Sequence, residues 1–303
     1  MIIKKEQKDG VTIYHLDKDI DDAKMATQQN KFLKREQIKL IIDHDADAYT
    51  ADGKLLLRFR KKVLNKPNID AFYDNVIAFA KNKTSNRGNA SGSKKISIYT
   101  NPKIMTNIFG YFDRWSPRQK FMYKKKGIKM PIAVRECRFN MDYPEAYNKT
   151  IPMIKDVDAL YKLLVPEHYA KQRRKADQTH FKIPGTAFTT ITTNVNYQTT
   201  LHKDAGDDPD GFGNLVAIER GEYEGGETCF PQYGIGVDVR TGDALFMNVH
   251  EWHSNLPIKL KSPDAVRLSV VCYLRLKIWE RTQNKTKKFF ESHNKTVRRM
   301  RTV

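Results

Sequence analysis

The spacing of apolar residues changes near residue 186, and the change divides the chain into a helix-containing part and a strand-rich part. Apolar positions recur about every 3.6 residues over 67–82 and 154–164, which predicts two amphipathic helices. Pro166 is expected to end the second helix. Short apolar runs near the beginning of the chain predict three strands, at positions 11–14, 40–43 and 55–59.

Strand-like runs follow one another every 8–15 residues between positions 186 and 278, separated by Gly, Pro and Asp. Many short strands with such turns are typical of a β-sandwich or a small barrel. We therefore predict a mainly β core supported by helices, in an α+β chain. The runs that carry this prediction are residues 186–193, 215–219, 236–239, 244–248 and 267–276.

Three regions are predicted. Residues 1–95 form an N-terminal α/β extension, which ends in a flexible loop because 82–95 are rich in Thr, Ser, Asn, Gly and Lys. Residues 96–280 form the helix-supported β domain, with its motif core at 186–278. Residues 281–303 form a basic C-terminal tail.

Length and composition exclude several classes of protein. A chain of 303 residues with 11% aromatic residues can build a core, so global disorder is excluded. No run of 18 apolar residues predicts a membrane span, and the polar start predicts no signal peptide. The three cysteines are far apart, which argues against a disulfide framework or a structural zinc site. We expect an intracellular protein of the cytoplasm or nucleus, not a secreted one.

The net charge of +19 is concentrated in two segments. Residues 81–130 carry 13 basic residues and one acid, a net charge of +12, and residues 281–303 carry a net charge of +7. A polyanion such as a nucleic acid is the partner that such segments favour, although a solubilising loop and a disordered tail would have the same composition. Aromatic residues interleaved with the first segment could stack on bases or anchor a helix to the core: Phe112, Trp115, Phe121 and Tyr123.

Four residues of the strand-rich part have the spacing of a metal and carboxylate site. His202 and Asp204 are two residues apart, so on a strand they point to the same side. His253 follows 49 residues after Asp204, and two histidines with one carboxylate are the ligand set of non-haem Fe(II) oxygenases. Arg267 begins the last strand-like run, where a buried guanidinium can bind a carboxylate through two hydrogen bonds.

The His-x-Asp pair is weak as an isolated signal. A second such pair, His15 and Asp17, lacks a downstream His and Arg in strand-like context, and we interpret it as a surface coincidence. His250 competes with His253 as the third ligand. We favour His253 because the residues after it lead into the Arg267 strand.

The order of these motifs resembles the Fe(II)/2-oxoglutarate-dependent dioxygenase superfamily, whose fold is a double-stranded β-helix or jelly roll. The segments that carry the resemblance are Leu201 to Asp207, Gly-Gly-Glu-Thr-x-Phe-Pro at 225–231, Gly242 to Asn255, and Arg267. Together they look most like the TET/JBP branch, which oxidises the 5-methyl group of pyrimidines in nucleic acid. The resemblance covers about residues 186–278.

The resemblance implies cofactors and roles for individual residues. Fe(II) would be bound by His202, Asp204 and His253, and O2 and the cosubstrate 2-oxoglutarate would complete the site, with ascorbate as the reductant in an assay. Arg267, Asn194 and Tyr197 would contact 2-oxoglutarate. Residues beside the ligands or the substrate would be Asn196, His250 and Asn255. Nucleic-acid contacts are expected from Lys94, Lys95, Lys124, Lys125, Lys126, Arg298 and Arg299.

Two alternatives stay open from the sequence. The Gly-Gly-Glu-Thr-x-Phe-Pro segment also resembles prolyl hydroxylases, so the same iron core could serve a prolyl- or lysyl-type protein hydroxylase. Those enzymes usually hold 2-oxoglutarate with Lys, whereas this chain offers Arg267, which favours the TET/JBP branch. A non-enzymatic basic DNA-binding β-sandwich would leave the four-residue set unexplained. We expect no membrane association, no protein partner and a monomer.

Overall fold

The computed structural model describes residues 1–85, 91–92, 101–115, 117–127 and 129–302. Its strands are β1 Ile2–Lys8, β2 Val11–Leu16, β3 Leu40–Ile42, β4 Ala46–Thr50, β5 Leu55–Arg60, β6 Thr106–Phe112, β7 Arg135–Glu136, β8 Thr190–Val195, β9 Gly213–Arg220, β10 Tyr223–Gly225, β11 Thr228–Phe230, β12 Ile235–Val237, β13 Ala244–Met247, β14 Ser254–Asn255, β15 Ile258–Leu260 and β16 Val266–Tyr273. The largest feature is a ten-stranded sheet with the order β1-β2-β4-β5-β13-β9-β16-β8-β6-β7. A four-stranded sheet with the order β14-β11-β12-β3 packs against it, and β10 pairs with β15.

The central strands of the large sheet are apolar on both faces, because each face covers a separate core. In β13, Phe246 belongs to the core under the helices, whereas Leu245 and Met247 belong to the core between the two sheets. Strand β9 alternates in the same way, with Val216 on the helix side and Leu215 on the sheet side. Side chains alternate across a strand, so a near-continuous apolar run is what burial on both faces requires.

Helices cover one face of the large sheet. The helices are α1 Asp22–Ala26, α2 Lys66–Ala80, α3 Pro117–Lys125, α4 Arg138–Asp142, α5 Pro144–Leu164, α6 Pro166–Asp177, α7 Leu276–Thr282 and α8 Lys287–Thr302. The pair α2 and α5 packs on the sheet, and Phe72 and Tyr161 are completely buried beneath them. Helix α5 begins ten residues before the start predicted from its apolar spacing, and Pro166 begins α6 directly after α5 ends.

The beginning of the chain belongs to the same two sheets as the motif core. Strand β5 pairs with β13 in the large sheet, and β3 pairs in parallel with β12 in the small one. The boundary predicted at residue 95 stays a prediction, and most of the loop predicted before it lies outside the described residues. At the other end, residues 287–302 form helix α8, so a large part of the predicted basic tail is helical.

No helix among the described residues is long and apolar enough to cross a membrane. The predicted mainly β core with supporting helices is confirmed. The residues singled out in the sequence lie where the small sheet faces the large one. Strand β16 carries Leu268 and Val270 on the helix side, so Arg267 and Ser269 point to the opposite side, between the sheets.

Candidate metal centre and cosubstrate site

His202, Asp204 and His253 come together at one end of the space between the sheets. One donor atom of each lies within 4.8 Å of the others, so the three side chains could hold a single metal ion. The Nε2 atoms of His202 and His253 are each 3.7 Å from an oxygen of Asp204. Two imidazoles and a carboxylate on one side of an ion match the ligand set of non-haem iron oxygenases.

The backbone holds the two histidines side by side. His202 and His253 form an isolated antiparallel bridge, in which each amide N–H donates to the other's carbonyl, at 3.1 and 3.0 Å. The amide of Asp204 donates to the carbonyl of Val249 at 3.0 Å, which places the loop after His202 against the segment before His253. The ligands are thus arranged by main-chain hydrogen bonds.

Each imidazole is also oriented by a carbonyl. Nδ1 of His202 lies 2.7 Å from the carbonyl oxygen of Thr200, and Nδ1 of His253 lies 2.9 Å from that of Glu251. A carbonyl only accepts, so Nδ1 carries the proton and donates, which leaves both Nε2 atoms as lone-pair donors for a metal. Burial, with the neighbouring His202, lowers the pKa of His253 to about 4, which keeps this ring neutral near pH 7.

Arg267 is 4% exposed and points between the sheets. Its Nη2 atom is buried without a hydrogen-bond partner in the described part of the chain, and so is the hydroxyl of Tyr223. A buried guanidinium needs a carboxylate or an equivalent acceptor, because an unpaired buried charge is costly. The site therefore has a place for a carboxylate ligand beside Arg267.

Gly226 provides the space that Arg267 occupies. A Cβ at Gly226 would lie 2.8 Å from Nε of Arg267, and its φ of +80° is one that side chains rarely adopt. The preceding Gly225 has a φ of +81° and approaches the carbonyl of Pro257. The sequence predicts a tight turn at these two glycines. It does not reveal their closeness to Arg267, because that contact depends on a strand from a later part of the chain.

The remaining predicted site residues lie around these groups. Asn196 adopts a left-handed φ of +48°, accepts a hydrogen bond from the Arg267 amide at 2.7 Å and donates to the carbonyl of Ala265. Asn194 accepts from Thr106 and donates to Ser269, so it joins three strands of the large sheet. Asn194 thus lies on β8 and Asn196 directly after it, both beside the Arg267 strand, and their predicted contacts with cosubstrate or substrate stay predictions.

Asn255 connects the loop before His202 to strand β14. Its side-chain oxygen accepts from the amide and the hydroxyl of Thr199, and its amide group donates to the carbonyl of Tyr197 at 3.3 Å. His250 faces away from this cluster, since its Nε2 lies 3.1 Å from the carbonyl of Asp208, and it is not part of the three-residue group. The carbonyls of Thr200 and Glu251 were missed from the sequence, because main-chain groups carry no residue signature.

The second His-x-Asp pair lies elsewhere, on the hairpin of β1 and β2. His15 contacts Glu6 at 3.0 Å and stacks on Tyr49. Of the predicted nucleic-acid contacts, Lys124, Lys125 and Lys126 are exposed on α3 or just after it. Arg298 on α8 donates to the carboxylate of Glu136 at 2.7 Å, and Arg299 is exposed beside it. Lys94 and Lys95 lie outside the described residues.

Comparison with known proteins defines the class. Residues 121–276 match Tet_JBP, the oxygenase domain of the 2OGFeDO superfamily, and the match spans more than half of the chain. The chain belongs to this family. The resemblance inferred from the sequence motifs is thereby confirmed, as is its assignment to an oxygenase family.

Particular relatives can be named as well. The chain is 32% identical over 178 residues to thymine dioxygenase JBP1-B of Trypanosoma cruzi (strain CL Brener), which is 58% of this chain and 20% of the relative. Thymine dioxygenase JBP1 of Trypanosoma brucei brucei is 29% identical over 193 residues, 63% of this chain and 22% of the relative. The chain thus spans about a fifth of the length of these curated relatives.

A solved structure shares the fold. NgTET1 in complex with 5mC DNA superposes with a TM-score of 0.53 at 12% sequence identity, and the alignment covers 91% of this chain and 100% of that one. At this level of identity the similarity shows the fold alone, and it supports the predicted jelly-roll core.

Proposed function

We propose that this chain is an Fe(II)/2-oxoglutarate-dependent dioxygenase that hydroxylates the 5-methyl group of a pyrimidine, thymine or 5-methylcytosine, in DNA. The observation that carries the proposal is the placement of the His202, Asp204 and His253 donors within 4.8 Å of one another, with buried Arg267 facing the same space between the sheets. The family supports the oxygenase chemistry. The names of the relatives support a 5-methylpyrimidine substrate.

The residues present fit the iron. Both imidazoles offer Nε2, since their Nδ1 atoms are hydrogen-bonded to Thr200 and Glu251. Asp204 offers a carboxylate oxygen, and one side of the ion stays open for other ligands. His202, Asp204 and His253 would hold Fe(II), which supplies the activation of O2 for oxidation of a C–H bond, coupled to decarboxylation of 2-oxoglutarate to succinate.

The residues also fit the cosubstrate. The unpartnered Nη2 of Arg267 is the donor that the far carboxylate of 2-oxoglutarate requires, and the Tyr223 hydroxyl is a second donor without a partner in the described part. Gly226 leaves room for the guanidinium. Because Arg267 is buried, its pairing with a carboxylate is not screened by water, and it fixes the orientation of the cosubstrate.

Residues next to the site fix the backbone around it and exclude water. The Asn196 side chain holds the backbone of Arg267, and Asn255 holds the loop that leads to His202. Phe230 and His253 are buried next to each other on the side of the small sheet, where they would shield bound Fe(II) from bulk water.

Charge favours DNA over a peptide as the substrate. The protein has a net charge of +19, and Lys124, Lys125 and Lys126 are exposed. A 5-methyl group stacked inside a duplex cannot reach an iron between two sheets, so the base must be extruded or supplied in a single strand. We expect phosphate contacts from these lysines and from Lys94, Lys95, Arg298 and Arg299, and we expect the chain to act inside the cell as a monomer.

The test is mass spectrometry of nucleosides from DNA treated with the protein. Duplexes and single strands that contain thymine or 5-methylcytosine are incubated with protein, Fe(II), ascorbate and 2-oxoglutarate, and succinate is followed in parallel. A new hydroxymethyl-pyrimidine is expected, and the base that carries it identifies the substrate.

Two variants make the test specific. His202→Ala should abolish the product, whereas His15→Ala, which alters the surface His-x-Asp pair, should keep it. Succinate release without any oxidised base would contradict a DNA substrate and favour a peptide hydroxylase. Full activity of His202→Ala would contradict the metal assignment.

A further inference from the structure

The two basic segments of the sequence form one structural unit. Trp115 and Tyr123 from the first segment and Val297 from the second are buried against one another, with the Trp115 and Tyr123 rings edge to face at 5.8 Å. Two of the four interleaved aromatics thus anchor α8 to α3. The unit combines cations from two parts of the chain that are distant in the sequence.

The exposed part of the first segment is free of acids. Asp113 is the one acid between residues 81 and 130, and it is 1% exposed, with its carboxylate 2.8 Å from Nε of Arg275. In the described part of the chain, Lys120, Lys124 and Lys125 have no carboxylate within ion-pair distance. Their charge is therefore available to a polyanion.

Phe121 lies among these lysines on the outer side of α3. It is 65% exposed, whereas Tyr123, on the opposite side of the helix, is 3% exposed. Lys124 and Lys125 follow Phe121 by three and four residues, so all three side chains share one face of the helix. A large aromatic ring that is exposed in a field of cations has the chemistry of a platform for a nucleobase.

The unit is joined to the loop that carries the metal ligand Asp204. Arg275, which holds Asp113, forms a backbone bridge with Asp207, and Gly206 leaves room for its guanidinium: a Cβ there would lie 2.8 Å from Nη2. The Leu276 amide donates to the carbonyl of Gly206 at 3.1 Å. A series of contacts thus connects the loop that carries Asp204 to Arg275 and from there to Asp113. Asp113 lies two residues before Trp115, which anchors α3.

We propose that the outer face of α3 is a single-strand binding platform, on which Phe121 stacks against a base while Lys124 and Lys125 hold the adjoining phosphates. The proposal rests on DNA as the substrate and adds the position where the strand is held beside the site. An exposed aromatic ring beside cations fits a nucleic acid better than an acidic protein or a membrane. Phosphates form ion pairs with the cations, and a base stacks on the ring.

The experiment measures the affinity of the 303-residue chain for fluorescein-labelled oligonucleotides by anisotropy. Phe121→Ala should weaken binding of a single strand about tenfold, and Phe121→Trp should restore it. On a strand of the same length in which abasic sites replace the bases, wild type and Phe121→Ala should bind equally. Leu163→Ala is the matched control, because Leu163 is an apolar side chain that is 73% exposed on another helix, α5.

Two results would overturn the proposal. The first is equal affinity of Phe121→Ala and wild type for the strand with bases. The second is Phe121-dependent binding of polyglutamate or of phosphatidylserine vesicles together with no dependence for DNA. Base oxidation without a Phe121 effect would overturn this platform alone, whereas a Phe121 effect without any oxidised base would overturn the enzymatic proposal alone.

Discussion

At the scale of single residues, the histidines of the candidate metal centre are oriented by main-chain carbonyls. The carbonyls of Thr200 and Glu251 each lie two residues before the histidine that they orient. A side-chain substitution at Thr200 or Glu251 leaves these carbonyls in place. Substitution of His202 or His253 therefore removes a candidate ligand and leaves the carbonyl that orients it in place.

His253 and His250 are three residues apart, and only His253 belongs to the three-residue group in the described part of the chain. His253→Ala should lower the affinity for Fe(II) or for its analogue Co(II) by at least tenfold, because one of three donors is lost. His250→Ala should leave that affinity within about twofold, since His250 contacts the Asp208 carbonyl instead. Metal titration by calorimetry measures both. The reverse order of effects would make His250 the ligand.

Gly226 allows a test of the cosubstrate site that spares the metal. Gly226→Ala should raise the KM for 2-oxoglutarate about tenfold, since its Cβ would press on Arg267, 2.8 Å from Nε. Metal affinity should not change. Gly53→Ala is the matched control: Gly53 has a similar φ of +77°, but nothing lies within 4 Å of its Cβ position. Equal KM values for the two variants would contradict the crowding of Arg267 as a determinant of cosubstrate binding.

Residue types and spacing could single out His202, Asp204, His253 and Arg267 as candidates, and the structure brings the first three together and buries the fourth between the sheets. The same information could not identify Gly226 or the two orienting carbonyls. Their roles depend on which strands become neighbours, and the sequence near each of them does not contain that information. The Arg298 pairing with Glu136 is of the same kind, since the two residues are 162 positions apart.

At the scale of elements, α8 combines an apolar side with an exposed basic side. His293 and Val297 are buried on it, and Lys288, Lys295 and Arg299 are exposed. Nε2 of His293 donates to the carbonyl of Val134, and burial lowers the pKa of the ring. The docked helix therefore favours the neutral imidazole.

Acidification should loosen α8. The pKa of His293 is lower in the fold than the value of about 6.5 for an exposed histidine, so the unfolded form takes up the proton first. The stabilising contribution is complete above about pH 6.5 and declines as the pH falls below it. Amide hydrogen exchange of α8, corrected for the intrinsic rate, should show protection falling from pH 7.5 to 5.5. His293→Gln should reduce that pH dependence, and an identical dependence in the variant would assign it to another group.

The lysines of α3 should determine the salt dependence of DNA binding. On a single strand, Lys124→Ala/Lys125→Ala/Lys126→Ala should reduce the slope of log K against log salt by up to about 2.1, because each phosphate contact of a single strand contributes about 0.7. The control Lys4→Ala/Lys5→Ala/Lys8→Ala removes the same charge from β1 and should leave the slope nearly unchanged. An equal loss of slope in both variants would indicate a general charge effect and would remove α3 from the contacts.

Local patterns are sufficient for many of the elements. The predicted helix at 67–82 corresponds to α2, and the predicted strands at 55–59 and 244–248 correspond to β5 and β13. The patterns do not predict β4 and β6, since Ala46–Thr50 and Thr106–Phe112 mix small, polar and glycine positions that gain strand character from their neighbours. The docking of α8 on α3 is a tertiary contact and has no local signal.

At the scale of the whole molecule, the beginning of the chain completes the core of the part that follows. Leu57 and Phe59 of β5 are buried with Leu245 of β13 between the two sheets, and Ile42 of β3 is buried beside Val237 of β12. These pairings join segments that are distant in the sequence, which is why the sequence suggested a separate extension. Such long-range strand pairing is fixed by the fold as a whole.

Removal of residues 1–60 should therefore unfold the molecule, rather than leave a shorter chain that is still folded. The truncated chain would leave β13 and β12 each with an open edge, and unpaired strand edges favour aggregation. We expect loss of the cooperative thermal transition seen by circular dichroism. Removal of residues 1–8, which deletes the exposed edge strand β1 only, is the matched control and should retain the transition. A cooperative transition in the longer deletion would establish residues 1–60 as an independent unit.

The bridge between His202 and His253 has a practical consequence for handling the protein. Two backbone hydrogen bonds join His202 and His253 across a long stretch of sequence, so we expect the candidate ligands to keep this arrangement when no ion is bound. In small zinc domains, by contrast, the ion itself builds the fold, and chelators denature it. We therefore expect a chelator to remove the ion from this protein without unfolding it. Cobalt(II) or manganese(II) can then be added to the same preparation as spectroscopic or inactive substitutes.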